Sequence, residues 1–136
     1  MRRSGIAGVA TLVLLAAGFA RADETFAGPF ASKHGRYLVT LATAMAPAPI
    51  NRMHAWTLTL ATKDGSPVET AVIEVAASVP EIGRVAPTAP RVTRAPGEGR
   101  YLIEGMKFDM AGRWRLRLVI GAGEERDEAD VPVEAR

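Results

Sequence analysis

Cysteine is absent from the 136 residues. That excludes disulfides, thiolate metal sites, a cysteine nucleophile and a lipidated lipoprotein cysteine together. Histidine is almost as scarce: His34 and His54 are the two present, and neither sits in a nucleophile elbow or a metalloprotease helix motif. A hydrolytic site needs a nucleophile, a base and an orienting group, and this chain offers no motif that supplies them. Glu124 and Glu125 are adjacent carboxylates, but they fall in a turn where water keeps them ordinary. Gly97-Glu98-Gly99 is not followed by a helical pattern, so it is no dinucleotide fingerprint. No catalytic residue is assigned, and the chain reads as a non-enzyme. No stretch of 10–15 residues carries helical periodicity, which removes a parallel α/β sheet. A surplus of one charge is missing as well. Three of the 17 basic residues and none of the 15 acidic ones lie within residues 1–22, leaving 14 against 15 in the remainder. A nearly neutral domain lacks the electrostatic footprint of a nucleic-acid binder.

What is present begins with a leader. Met1-Arg2-Arg3 is a short positive start, Gly5 to Phe19 is uncharged and rich in Ala, Val and Leu, and Ala20-Arg21-Ala22 places small residues where a signal peptidase reads. Residues 1–22 are therefore predicted to be a signal peptide, cleaved before Asp23. The apolar stretch is shorter than the roughly 20 residues a spanning helix needs. Contact with a membrane would come only through an uncleaved leader. The general secretory route and a periplasmic location follow.

Residues 23–35, with Gly28, Pro29 and Gly35, read as a flexible N-terminal arm. Beyond it, apolar residues recur with period two, as in half-buried strands. Tyr37, Val39 and Leu41 share a face, as do His54, Trp56, Leu58 and Leu60. The same alternation places Ile73 and Val75, Tyr101 and Ile103, Trp114 to Ile120, and Val131 and Val133. Between them lie turn residues: Ala46-Pro47-Ala48-Pro49, which cannot continue a ladder, Lys63 to Pro67, Pro96 to Gly99, and Gly121 to Glu125. The expectation is an all-β, immunoglobulin-like antiparallel β-sandwich of six strands, or seven if Arg91 to Arg94 adds an edge. Trp56, Tyr101, Phe108 and Trp114 are predicted at its centre. Tyr101 follows a tight corner, where a tyrosine of such a fold bonds back to the backbone and locks it. The long irregular stretch Ala77 to Pro90 is predicted to cover an edge or to carry function.

Five segments together resemble a known family. They are Asn51 to Trp56, Asp64 to Val68, Pro87 to Thr93, Gly99 to Phe108, and Met110 to Trp114. Their order and spacing are similar to those of the YtkA-like family of small exported domains, related to FixH-like proteins, over about Gly35 to Val133. The resemblance implies a YtkA-like immunoglobulin-like domain over residues 36–136, outside the cytoplasmic membrane. FixH-like relatives are associated with assembly of copper-containing respiratory oxidases. Many members resemble Met-Pro-x-His-x-His-Gly before the Pro-Thr-x-Pro segment, and here Ile82 and Arg84 stand at the two histidine positions. Neither side chain replaces an imidazole lone pair.

The function read from this is an exported accessory domain that binds a protein or another envelope component. The binding surfaces are the Ala77–Pro90 loop and a free sheet edge open to strand addition. The alternative is copper handling linked to oxidase assembly, through His54 with thioethers from Met53, Met106 or Met110, a donor set that suits Cu(I). Met53 and His54 point to opposite faces of one strand, so a shared ion requires a bulge. No other cofactor is expected. His34 is expected to be solvated. Arg113, Arg115 and Arg117 form a basic stripe, expected to be consumed by cross-strand pairing with Glu128, Asp130 and Glu134.

Overall fold

The computed structural model describes residues 25–136; the predicted signal peptide, residues 1–22, lies outside them. Among the described residues nine strands form, rather than six or seven: β1 (Thr25–Ala31), β2 (Tyr37–Thr43), β3 (His54–Thr62), β4 (Val72–Val79), β5 (Arg84–Val85), β6 (Arg91–Gly97), β7 (Arg100–Met106), β8 (Gly112–Ala122) and β9 (Glu125–Ala135). All pairings between strands are antiparallel, in the order β1-β2-β3-β7-β6-β4-β8-β9, with β5 added to β4. The β6–β4 step is a single residue pair, Glu74 with Arg91. The path therefore divides into two layers, β1-β2-β3-β7-β6 and β4-β8-β9, which close as a β-sandwich.

The period-two stripes explain the layering. Val39, Leu41, Leu58, Leu60 and Ile103 from one layer are fully buried against Leu116, Leu118, Ile120 and Val131 from the other. Trp114, Tyr101 and Phe108 are among the largest fully buried side chains, and Trp56 is buried beside them. Each large aromatic withdraws about 150–250 Å² from water, worth several kcal/mol at roughly 25 cal/mol per Å². Strand alternation leaves Arg113, Arg115 and Arg117 exposed on the back of β8.

Two expectations change. The segment read as a flexible arm contains β1, which pairs with β2 from Thr25–Thr43 to Ala31–Leu38. Its register shifts between Ala27 and Phe30, around Gly28 and Pro29. A proline and a bulge are tolerated on an edge strand, and they erase the alternation that identifies a strand. The stretch Ala77–Pro90 is likewise more regular than expected. β4 runs on to Val79, a 3₁₀ turn spans Pro80–Ile82, and β5 pairs back through Ser78–Val85 and Val79–Arg84. β6, expected as an added edge, pairs with β7 and bridges to β4.

Tyr101 also differs in its partner. Its hydroxyl donates to the Val68 carbonyl at 2.6 Å and accepts the Ala71 N–H at 3.0 Å. It pins the crossover from β3 to β4, joining the layers, rather than the corner that precedes it. That corner is held by Gly99, whose φ is +71° and whose missing Cβ would lie 2.5 Å from the Leu60 carbonyl oxygen. Only glycine permits this approach. Tyr101→Phe leaves one part-buried acceptor and one part-buried donor unmet, so it is expected to lower the unfolding free energy by about 1–2 kcal/mol. Urea titration checks this as a lower midpoint at unchanged slope.

Candidate functional site

The predicted copper ligands divide between the surface and the interior. Met53 is 57% exposed, whereas His54 is buried and Met106 has no exposed surface. Met110 is half-buried, and its carbonyl accepts the Trp114 Nε1–H at 3.0 Å. His54 and Met106 are brought together, since they oppose each other in the β3–β7 register. Strict alternation from Tyr101 and Ile103 sends Gly105 inward and Met106 outward. Instead the register slips between the His54–Met106 and Trp56–Ile103 pairs, placing one extra residue in β7. Gly105, at φ +84°, accommodates the bulge and returns Met106 to the core. A glycine inside a strand pattern was the signal for it.

Around His54 the environment is aromatic. Its ring centroid lies 5.5 Å from that of Phe108 and 6.0 Å from that of Trp56. Nδ1 is 3.0 Å from the Arg52 carbonyl oxygen. A carbonyl only accepts, so Nδ1 carries the hydrogen, and in the neutral form of the ring the lone pair lies at Nε2. That Nε2 is buried without a hydrogen-bond partner, as is the Trp56 Nε1–H. Among the described residues no group of three or more His, Asp or Glu side chains is arranged to hold a metal ion.

A second cluster was not legible from the sequence. Asp127 on β9 points inward with Ala129, Val131 and Val133, and its side chain is fully buried. Ser32 Oγ donates to its Oδ2 at 2.5 Å, the His34 backbone N–H lies 3.1 Å from the same oxygen, and Glu128 N–H donates to Oδ1 at 2.8 Å. His34 Nδ1 is 2.9 Å from Oδ1, while 72% of the His34 side chain is exposed. His34, expected to be solvated, is thus tied to β9. A carboxylate in phase with an apolar stripe was the available signal.

Serine, histidine and aspartate meet here, but not as a catalytic relay. The Ser32 hydroxyl donates to Asp127 itself, and its oxygen accepts the Tyr37 N–H at 3.0 Å. Histidine is therefore not the acceptor that would activate the hydroxyl. The arrangement clasps the β1–β2 turn onto β9. Next to it, Glu128 receives Lys33 at 2.8 Å and Arg117 at 2.7 Å.

These contacts hold both carboxyls below their usual range. Burial alone would raise the Asp127 carboxyl, but the hydrogen bonds from Ser32, Glu128 and His34 outweigh it. The bonds from Lys33 and Arg117 bring Glu128 down to about 2.

The third feature is the β4–β5 hairpin. Ile82 and Val85 are 62% and 68% exposed. Arg84 Nε donates to Asp109 Oδ1 at 3.3 Å, and a second guanidinium nitrogen bonds Oδ2. That bond keeps the Asp109 carboxyl below its ordinary range. Ala86 N–H returns to the Ala77 carbonyl at 3.0 Å, closing the loop onto β4.

The sequence profile of the YtkA-like family matches residues 31–119, from the end of β1 into β8. The chain belongs to the YtkA-like family. No curated protein sequence matches it. Among solved structures, this YtkA-like chain is similar to the Lin-41 filamin domain at 14% identity, with a TM-score of 0.48, over 81% of this chain and 98% of that one. It is also similar to S-layer protein SbsC domains 4 and 5 at 14% identity, with a TM-score of 0.40, over 87% and 79% of the two chains. The match to the YtkA-like profile takes in Ile82, Arg84, His54 and Met106, but stops before Asp127.

Asp127→Asn is expected to cost about 1–3 kcal/mol, because buried donors lose their charged acceptor. The unfolded carboxyls titrate near about 3.9 for Asp and 4.3 for Glu. Both folded values lie lower, so the stabilisation is complete above about pH 5 and is lost as pH falls through about 4 and below. Thermal midpoints recorded between pH 7 and pH 2 check this, with a shallower acid limb in Asp127→Asn.

Proposed function

We propose that this YtkA-like chain is an exported, periplasmic, non-catalytic accessory domain that binds a protein component of the cell envelope through the β4–β5 hairpin. The observation that carries the reading is the pair Ile82 and Val85, two large aliphatic side chains more than 60% exposed on a hairpin braced by Arg84 and Asp109. A braced hairpin presents its apolar tip with little ordering cost on binding. Single exposed apolar residues are ordinary, whereas two on one rigid tip form an anchor. The signal-like leader supports export, and Ser32 and His34 are tied to Asp127 as a clasp in which Ser32 donates to the carboxylate.

Deleting Ala77–Pro90 as a whole would remove the buried Ala77 and the end of β4, so point changes are the better test. A photoreactive residue at position 82 or 85 is expected to give one adduct of defined mass in the periplasm, and one at Lys63, in the distant β3 turn, none. Adding Ile82→Asp to the position-85 probe abolishes the adduct while shifting stability by no more than about 0.5 kcal/mol. Adducts equally strong from position 63 would overturn the reading.

A second reading, Cu(I) handling, is supported by the unpartnered Nε2 lone pair of His54 facing a core that also holds Met106. Imidazole and thioether fit that soft ion, and the Nδ1–H bond to Arg52 orients the ring as metal-bound histidines are oriented. Met53 points away and takes no part. Titration with Cu(I) under a competing chelator is expected to show one site that His54→Ala and Met106→Ala each remove and Met53→Ala leaves intact. Equal affinity in all four proteins would sink this reading.

A further inference from the structure

The back of β8 is not the neutralised stripe that pairing rules predict. In the β8–β9 register, Glu134 faces Arg113, Pro132 faces Arg115 and Asp130 faces Arg117. On the other side, β4 places Ser78 opposite Arg115 and Ala76 opposite Arg117. Arg117 bonds Glu128 at 2.7 Å, while Glu134 turns to Arg136 at 2.8 Å. Among the described residues, Arg113 and Arg115 make no ion pair. Two residues apart on one strand face, they stand about 7 Å from each other. Both border a cleft of about 310 Å³ whose other walls include Pro80, Glu81, Asp130 and Pro132. Pro80 and Glu81 begin the turn that carries Ile82, so the cleft adjoins the exposed hairpin tip through that turn.

We infer that Arg113 and Arg115 receive a side-chain carboxylate from an extended acidic segment of a protein partner, whose neighbouring apolar residue covers Ile82 and Val85. This rests on the partner-binding reading above and names the chemistry of the partner. Two guanidiniums with free forks accept a carboxylate in paired, charge-assisted hydrogen bonds. The acids on the same surface select the kind of anion. A plane of anionic lipid head groups laid here would meet Glu81, Glu128, Asp130 and Glu134 along with the arginines. A single carboxylate set between Arg113 and Arg115 bonds the two arginines that make no ion pair, while Glu81 and Asp130 on the same cleft walls oppose a second negative charge beside it. The apolar tip beside it demands a segment mixing acidic and apolar residues.

The test uses the chain as it accumulates in cells, with a labelled Glu-Leu repeat peptide, the matched Gln-Leu peptide and phosphatidylglycerol vesicles. The Glu-Leu peptide is expected to bind roughly tenfold more tightly than Gln-Leu at low salt, the ratio one good charged hydrogen-bonding pair supplies. Arg113→Gln with Arg115→Gln removes that ratio, and Lys63→Gln does not. Ile82→Asp with Val85→Asp weakens both peptides equally, leaving the ratio in place. If the arginine variant leaves the ratio unchanged while the hairpin variant weakens both peptides, this inference falls and the hairpin reading stands. If the arginines set the ratio and the hairpin variant changes nothing, the hairpin reading falls instead. Equal binding of the two peptides, binding of neither, or arginine-dependent retention on vesicles without peptide binding overturns the inference.

Discussion

Interdigitation of two apolar stripes carries this domain, because a chain without cysteine has no disulfide to join its layers. Val39, Leu41, Leu58 and Leu60 on one side meet Leu116, Leu118, Ile120 and Val131 on the other. The hydrogen-bonded path between the layers narrows to the Glu74–Arg91 pair. Face-to-face burial therefore supplies the cohesion that ladder bonds supply within each layer. Everything with chemical interest is positioned by that packing, including the ring of His54 and the carboxylate of Asp127.

Polar groups inside such a core are costly unless matched. The molecule treats its buried polar groups in two ways. Tyr101 and Asp127 are fully matched, and each uses its bonds to join parts of the chain distant in sequence: Val68 and Ala71 in one case, residues 32–36 in the other. His54 and Trp56 keep an unmatched ring nitrogen each. The matched pair reads as architecture. Among the described residues, the ring nitrogens His54 Nε2 and Trp56 Nε1 are the buried side-chain polar atoms left without a hydrogen-bond partner.

The exposed side divides similarly. Arg117 and Lys33 converge on Glu128, and Arg84 is locked to Asp109. Such pairs brace elements and add little stability where water screens them. Among the described residues, Arg113 and Arg115 are left without an ion pair, beside the cleft that Pro80 and Glu81 also line. The surface proposed for binding lies on the back and end of the smaller layer.

Composition and alternation alone determined the all-β class, the inward faces of β2, β3, β8 and β9, and the aromatic centre, because side-chain direction in a strand follows from parity. The absence of cysteine likewise decided that packing must hold the layers. Tertiary structure decided what parity cannot carry. β1 was hidden because Gly28 and Pro29 break its rhythm, and Met106 faced the wrong way until the bulge at Gly105 shifted β7 by one residue. The role of Asp127 emerges only where the β1–β2 turn closes over it. Which acids reach the β8 arginines depended on register: Pro132 falls opposite Arg115, and Glu134 prefers Arg136. A local pattern specifies a face, whereas a partner is specified only once two strands have chosen their alignment.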